Sequence, residues 1–146
     1  MTPPKAPLLD TNMVVHAVRK TPLFQQADRD YWLTSRADAA IISIVTVGEM
    51  LALALKWNWG DANTEKLRER LAQLSVVGIE SPAILDHYAE IDHHCEQNGL
   101  KLGKNDLWIA ATASVLEVLL LTTDKDFTRL PETLLRHKWY DPKGIY

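Results

Sequence analysis

Four short, largely apolar runs punctuate the chain, Pro7 to Asp10, Ala39 to Val45, Ser75 to Ile79 and Val118 to Leu121, and helix-forming stretches separate them. This strand-then-helix alternation leaves few folds open. Strands joined through helices pair in parallel, and a parallel sheet needs cover on both faces. The expectation is an α/β fold: a parallel sheet of four to five strands with helices on both faces.

The helix signals supply the punctuation. Thr11-Asn12 turns the chain into an amphipathic stretch from Met13 to Val18, and Thr21-Pro22 opens a helix to about Ser35. Thr46 and Glu49 have capping-box spacing, which predicts Glu49 in the first turn of a helix reaching Trp57. Asn63 is the expected cap of a helix through Leu74. Ser81-Pro82 opens a long helix that Asn98-Gly99 closes. Asn105 is the expected cap of Leu107 to about Leu116, with Asp106 in its first turn. A last turn, Asp126 to Leu130, precedes a short edge strand near Trp139-Tyr140. With no internal repeat or low-complexity linker, residues 1–146 read as a single domain.

Composition narrows the function classes. A 47% apolar and 24% charged chain can bury an ordinary core without a metal or a disulfide. The lone Cys95 has no internal partner, and Met1 to Lys5 does not lead into a secretory apolar core, so a cytoplasmic location is expected. Leu107 to Leu121 is short for a membrane span and carries Glu117, so no membrane role is expected. A net charge of −3 argues against a broad basic surface that coats nucleic acid, though not against an enzyme with a local basic rim.

Four acids, Asp10, Glu49, Asp106 and Asp124, stand at ends of apolar runs or at helix openings. In an open parallel sheet those places converge on one edge, so carboxylates distant in sequence meet in one pocket. Two carboxylates about 4 Å apart repel by roughly 4 kcal/mol at an effective dielectric near 20, so such a pocket needs protons or a cation. Thr11, Asn12, Asn105 and Thr123 add oxygen and amide groups beside them. An all-oxygen set suits Mg²⁺ or Mn²⁺ better than Zn²⁺. Each acid singly also has a plain structural role, as capping, dipole or turn residue.

Leu8-Leu9-Asp10-Thr11-Asn12, Glu49 opening a helix, Asn105-Asp106 opening another, and Leu121-Thr122-Thr123-Asp124-Lys125-Asp126-Phe127 together resemble a PIN-domain nuclease, most closely the VapC-type toxins of toxin–antitoxin pairs. The resemblance covers Leu8 to about Leu130. It implies a PIN-like sheet and a Mg²⁺- or Mn²⁺-dependent endoribonuclease acting on structured RNA such as transfer or ribosomal RNA. It further implies a small antitoxin protein as partner and a homodimer. Asp10, Glu49, Asp106 and Asp124 match the family's acidic quartet, Asp126 an auxiliary metal-binding acid, and Asn12 and Thr123 polar positions that orient the acids. Asp10 and Asp106, with Asp124 nearby, would hold the ion, and Glu49 would orient or deprotonate the attacking water, leaving 5′-phosphate and 3′-hydroxyl ends.

Other features have weaker functional readings. His87, Glu90, His93 and His94 offer only half of a paired helical metal motif, so solvated helix residues account for them better. Trp57 and Trp59 either pack in the core or line an exposed groove of the kind in which PIN-type toxins seat an antitoxin helix. Lys101, Lys104, Lys125 and Arg129 surround the last two acidic motifs and are candidate RNA-phosphate contacts. Two rival functions are a PIN nuclease without an antitoxin and a Mg²⁺-binding receiver-like signalling domain. The latter fits less well, because Asp10 has no acidic neighbour.

Overall fold

The computed structural model describes residues 4–146, so Met1, Thr2 and Pro3 of the N-terminal stretch lie outside the described residues. Five strands, β1 (Leu8–Leu9), β2 (Ile41–Ser43), β3 (Ser75–Val77), β4 (Leu120–Thr122) and β5 (His137–Trp139), form one sheet in the order β3-β2-β1-β4-β5. Every pairing is parallel, with Leu8 beside both Ile41 and Leu120. Six helices connect them: α1 (Thr11–Arg19), α2 (Pro22–Tyr31), α3 (Ile44–Lys56), α4 (Gly60–Ala72), α5 (Pro82–Gln97) and α6 (Lys104–Leu116), with a 3₁₀ turn at Lys125–Arg129.

The strands are only two or three residues long, yet their alternation sorts side chains onto two faces. Leu8 and Leu120 point into a core with Ile91, Ile109 and Phe127 of the α5–α6 side. Their neighbours Leu9 and Leu121 point into a second core with Met13, Met50 and Leu71 of the α1–α4 side. Both faces are thereby sealed, as the fully apolar β1 and β4 require. After β1 the chain builds outward through β2 to β3, then returns to lay β4 on the other side of β1. The order reverses at the β1–β4 seam, where parallel α/β sheets open their binding crevice.

Several helix boundaries depart from the sequence expectation, each for a visible reason. The helix containing Glu49 starts at Ile44, because the Ser43 hydroxyl caps it by accepting from Val45 N–H at 3.1 Å. Glu49 consequently sits in the second turn, and the Thr46–Glu49 capping box does not form. Asn63 lies inside α4 and donates to the Trp59 carbonyl at 3.0 Å instead of capping. Gly103, not Asn105, is the N-cap of α6. The second helix stops at Tyr31, short of Ser35: Trp32 turns left-handed at φ 53°, and the Asp28 carboxylate takes both Thr34 N–H and hydroxyl.

The β1–β4 seam depends on the side chains beneath it. Truncating the fully buried Leu121 to alanine should cost about 2–5 kcal/mol in urea unfolding. A cost below about 1 kcal/mol would mean that the α1–α4 core closes around the gap.

Candidate active site

Asp10 is the centre of the site and the most enclosed of its four acids. It follows β1 directly, its N–H donates to the Leu121 carbonyl at 3.0 Å, and it caps α1. Only 3% of it is exposed. One carboxylate oxygen accepts Thr11 N–H at 2.8 Å, and the other accepts the Thr122 hydroxyl at 2.8 Å. The same Thr122 oxygen accepts Asp124 N–H at 2.9 Å, so one buried hydroxyl bridges the acid after β1 to the acid after β4.

Glu49 comes in from α3 through a second hydroxyl pair. Thr11 Oγ1 donates to Glu49 Oε1 at 2.7 Å and lies 2.9 Å from Thr46 Oγ1. A hydroxyl has one proton, so with Thr11 committed to the carboxylate, Thr46 is the donor in the second contact. Asp106 projects from the first turn of α6, on the far side of the seam. Asp10, Glu49, Asp106 and Asp124 line one cleft of about 350 Å³ together with Thr11, Asn12 and Lys56.

The remaining expected residues divide. Thr11 and Asn12 belong to the cleft, but Asn105 is exposed on the outer side of α6 and does not line it. Thr123 lines the adjoining groove and not the cleft, its carbonyl accepting the Trp139 indole N–H at 3.1 Å, and its neighbour Thr122 makes the hydrogen bond to Asp10. Asp126 is exposed outside the cleft lining, where its N–H donates to Asp124 Oδ1 at 2.9 Å and holds that carboxylate in position. Of the expected basic rim, Lys125 borders an adjoining groove, while Lys101, Lys104 and Arg129 line neither cavity. Lys56 and Arg19 border the two cavities instead. Sequence reading missed both, and their only signal was a cation in the last turn of a helix whose first or second turn carries a site residue. His87 is engaged with Ser114 at 2.9 Å, consistent with a structural role for that histidine.

The charges explain what the cleft can hold. Burial pushes the Asp10 carboxyl up to about 6, its hydrogen bonds from Thr122 and Thr11 pull the other way, and the Asp124 and Glu49 charges raise it further. Burial first, then the charges of Asp10, Asp124, Glu49 and Asp126, push Asp106 up to about 7. Among the described residues, no three His, Cys, Asp or Glu side chains are already drawn together as a coordination shell. Mg²⁺ needs no such cage, since it keeps several waters and takes one or two carboxylates at a time. The donor set is all oxygen, and its two central acids are unfavourably ionised without a cation, so it fits a hard divalent ion.

Both acids bind a proton more tightly folded than unfolded, where their ordinary value is 3.8. For these two groups, metal-free stability is greatest below about pH 4 and declines as pH rises through 6 and 7. The melting temperature without divalent ions should fall across that window, and less steeply in Asp106→Asn. Added Mg²⁺ should offset the fall, because it replaces the lost protons. A parallel pH profile in wild type and Asp106→Asn would contradict the assigned electrostatics.

Comparison with known proteins agrees with this geometry. Residues 8–133 match the PIN domain. The chain is 29% identical over 131 residues to the Ribonuclease VapC2 of Rickettsia felis, covering 89% of this chain and 96% of that protein. It is 28% identical over 138 residues to Ribonuclease VapC1 of Haemophilus influenzae, covering 92% and 96%. The crystal structure of VapBC2 from Rickettsia felis bound to a DNA fragment from their promoter superposes with a TM-score of 0.79 at 28% identity, over 94% of this chain and 100% of that one. The acids that close on the β1–β4 seam and the match that spans nearly the whole sheet lead to one conclusion: this chain belongs to the PIN domain family.

Proposed function

We propose that this protein is a divalent-cation-dependent endoribonuclease and the toxin half of a toxin–antitoxin pair. The convergence of Asp10, Glu49, Asp106 and Asp124 on one cleft carries the reading. The ribonuclease names of its relatives support it. Asp10 and Asp106 would hold Mg²⁺ or Mn²⁺, with Asp124 alongside. When bound, the ion neutralises the cleft and polarises the scissile phosphate. Glu49 accepts the proton of the attacking water, its orientation set by the Thr11 hydroxyl and, behind it, Thr46. Lys56, in the lining of the same cleft, gives the phosphate a fixed positive partner.

Replacing Asp10 or Asp106 by Asn should abolish Mg²⁺-dependent cleavage; Asp106→Asn keeps volume and removes repulsion, whereas Asp10→Asn also gives up one of two acceptor oxygens and should melt at a lower temperature while still folding. Sequencing of RNA ends after brief induction reads activity and target together. Cleavage by both variants at the wild-type rate at saturating Mg²⁺ would reject this site.

Beside the cleft, α1 offers an apolar surface on which the antitoxin would seat. A cavity of about 510 Å³ between α1, α2 and α4 is lined by Val14, Val18, Phe24, Leu33 and Leu74. It shares Val18 and Arg70 with a smaller neighbour that Trp59 and Leu67 line. The two tryptophans thus part company, with Trp59 on this apolar side and Trp57 facing the groove beside the acids. In Trp59→Ala, affinity for the antitoxin should fall by about 2 kcal/mol in titration calorimetry, with cleavage by the free enzyme retained. Unchanged affinity in a normally melting variant would remove Trp59 from that interface.

A further inference from the structure

Past Thr122 the chain leaves the strand ladder and enters the turn that carries Asp124 and Asp126. Thr123 is buried there, and its carbonyl lies beyond the last paired residue of β4, so it needs a partner from elsewhere. The edge strand β5 supplies one. Its register sets Trp139 beside Thr122, and from that place the indole Nε1–H donates to the Thr123 carbonyl at 3.1 Å. The nitrogen of the same peptide unit, Asp124 N–H, donates to the Thr122 hydroxyl at 2.9 Å. The planar Thr123–Asp124 peptide is pinned at both its oxygen and its nitrogen, and turning it over would break both bonds together. The Lys125 ammonium lies 5.3 Å from the centre of the Trp139 ring. One half-buried indole thus engages the residue before Asp124 through its N–H and the residue after it through its ring.

We propose that Trp139 is a positioning residue for the acidic cleft: it fixes the peptide from which Asp124 projects, and with it the place of the Asp124 carboxylate beside Asp10 and Asp106. Trp139 lines neither the cleft nor the adjoining groove, so it acts through the main chain and touches none of the reacting atoms. The Asp126 N–H then sets the carboxylate itself, at 2.9 Å from Asp124 Oδ1. A ligand held in place before a cation arrives has less freedom to lose on binding it, and partners behind a ligand govern cation affinity for that reason. The inference rests on the reading of the cleft as a cation-dependent nuclease site and adds to it a residue of the edge strand that none of the acidic motifs contains.

The test separates position from cleavage. Trp139→Phe keeps an aromatic ring beside Lys125 and removes the donor, whereas Tyr140→Phe, on the neighbouring residue, removes only the hydroxyl that donates to Asp30 at 2.6 Å. Amide hydrogen exchange followed by NMR with EDTA present should quicken roughly tenfold at Asp124 and Asp126 in Trp139→Phe and keep its wild-type rate there in Tyr140→Phe. Mn²⁺ affinity in titration calorimetry should weaken about tenfold in Trp139→Phe alone, whatever each variant loses in melting temperature. In RNA cleavage, kcat should fall by a similar factor at unchanged KM. Exchange at Asp124 and Asp126 that stays at the wild-type rate in Trp139→Phe, or that changes equally in the two variants, would overturn the proposal and leave Trp139 a packing residue. So would a wild-type Trp139 indole N–H that exchanges as fast as that of Trp32, whose side chain is open to solvent, and this measurement needs no variant to fold. Cleavage of total RNA by wild type with Mg²⁺ or Mn²⁺ is the separate arm. No cleavage, with the two amides released in Trp139→Phe, sinks the nuclease reading and leaves the positioning role; wild-type cleavage, with Mn²⁺ affinity and kcat unchanged in Trp139→Phe, sinks the positioning role alone.

Discussion

A carboxylate buried at the seam between two parallel strands is the constraint from which the rest follows. Asp10 is almost wholly enclosed, and burial of an ionisable group is tolerable only with dedicated partners. The chain supplies them from two places far apart in sequence: the N–H of Thr11 at the start of α1 and the hydroxyl of Thr122 at the end of β4. Satisfying Asp10 therefore requires β4 to lie beside β1 in the observed register. The same Thr122 hydroxyl then fixes Asp124, and the turn after it fixes the Asp124 carboxylate through Asp126 N–H. Site and topology are one problem with one solution.

That solution opposes stability in the metal-free chain. Burial first, and then the charges of the neighbouring acids, raise the proton affinity of Asp10 and Asp106. Cores on both faces of the sheet offset this. Leu8 and Leu120 feed one, Leu9 and Leu121 the other, so the seam that carries the repulsion is also the most thoroughly buried part of the fold. A cleft can stay electrostatically unfavourable where the apolar packing beneath it is this complete.

The sequence made the sheet legible because strand ends and helix starts are local signals. Asp10, Asp106 and Asp124 were placed by them, and so were the strands, to within a few residues. Glu49 was assigned to the right helix but the wrong turn, since Ser43 and Thr46 both look like caps locally and only the contact of Thr46 with Thr11 removes it from that role. Choosing between Thr122 and Thr123 required the strand's facing, which a single buried strand does not reveal. The cations were the least legible part. Lys101, Lys104 and Arg129 are near the acids along the chain, whereas Lys56 and Arg19 are near them in space, brought there by helix length. A helix of nine or thirteen residues carries its last side chain to a place that no short motif encodes.

Helix α1 shows how few residues separate the proposed functions. Asn12, Val15, His16 and Arg19 recur at the spacing of one helical face and line the groove beside the acids. Val14, Ala17 and Val18 fall on another face and line the apolar cavity against α2 and α4. Thr11, in the first turn, orients Glu49. An occupant of the apolar side would therefore press on the element whose first turn orients Glu49 and whose last turn carries Arg19 into the groove beside the acids. Packed helices respond as rigid bodies, not residue by residue. Because α1 runs unbroken from Thr11 to Arg19, any displacement of it reaches both ends together.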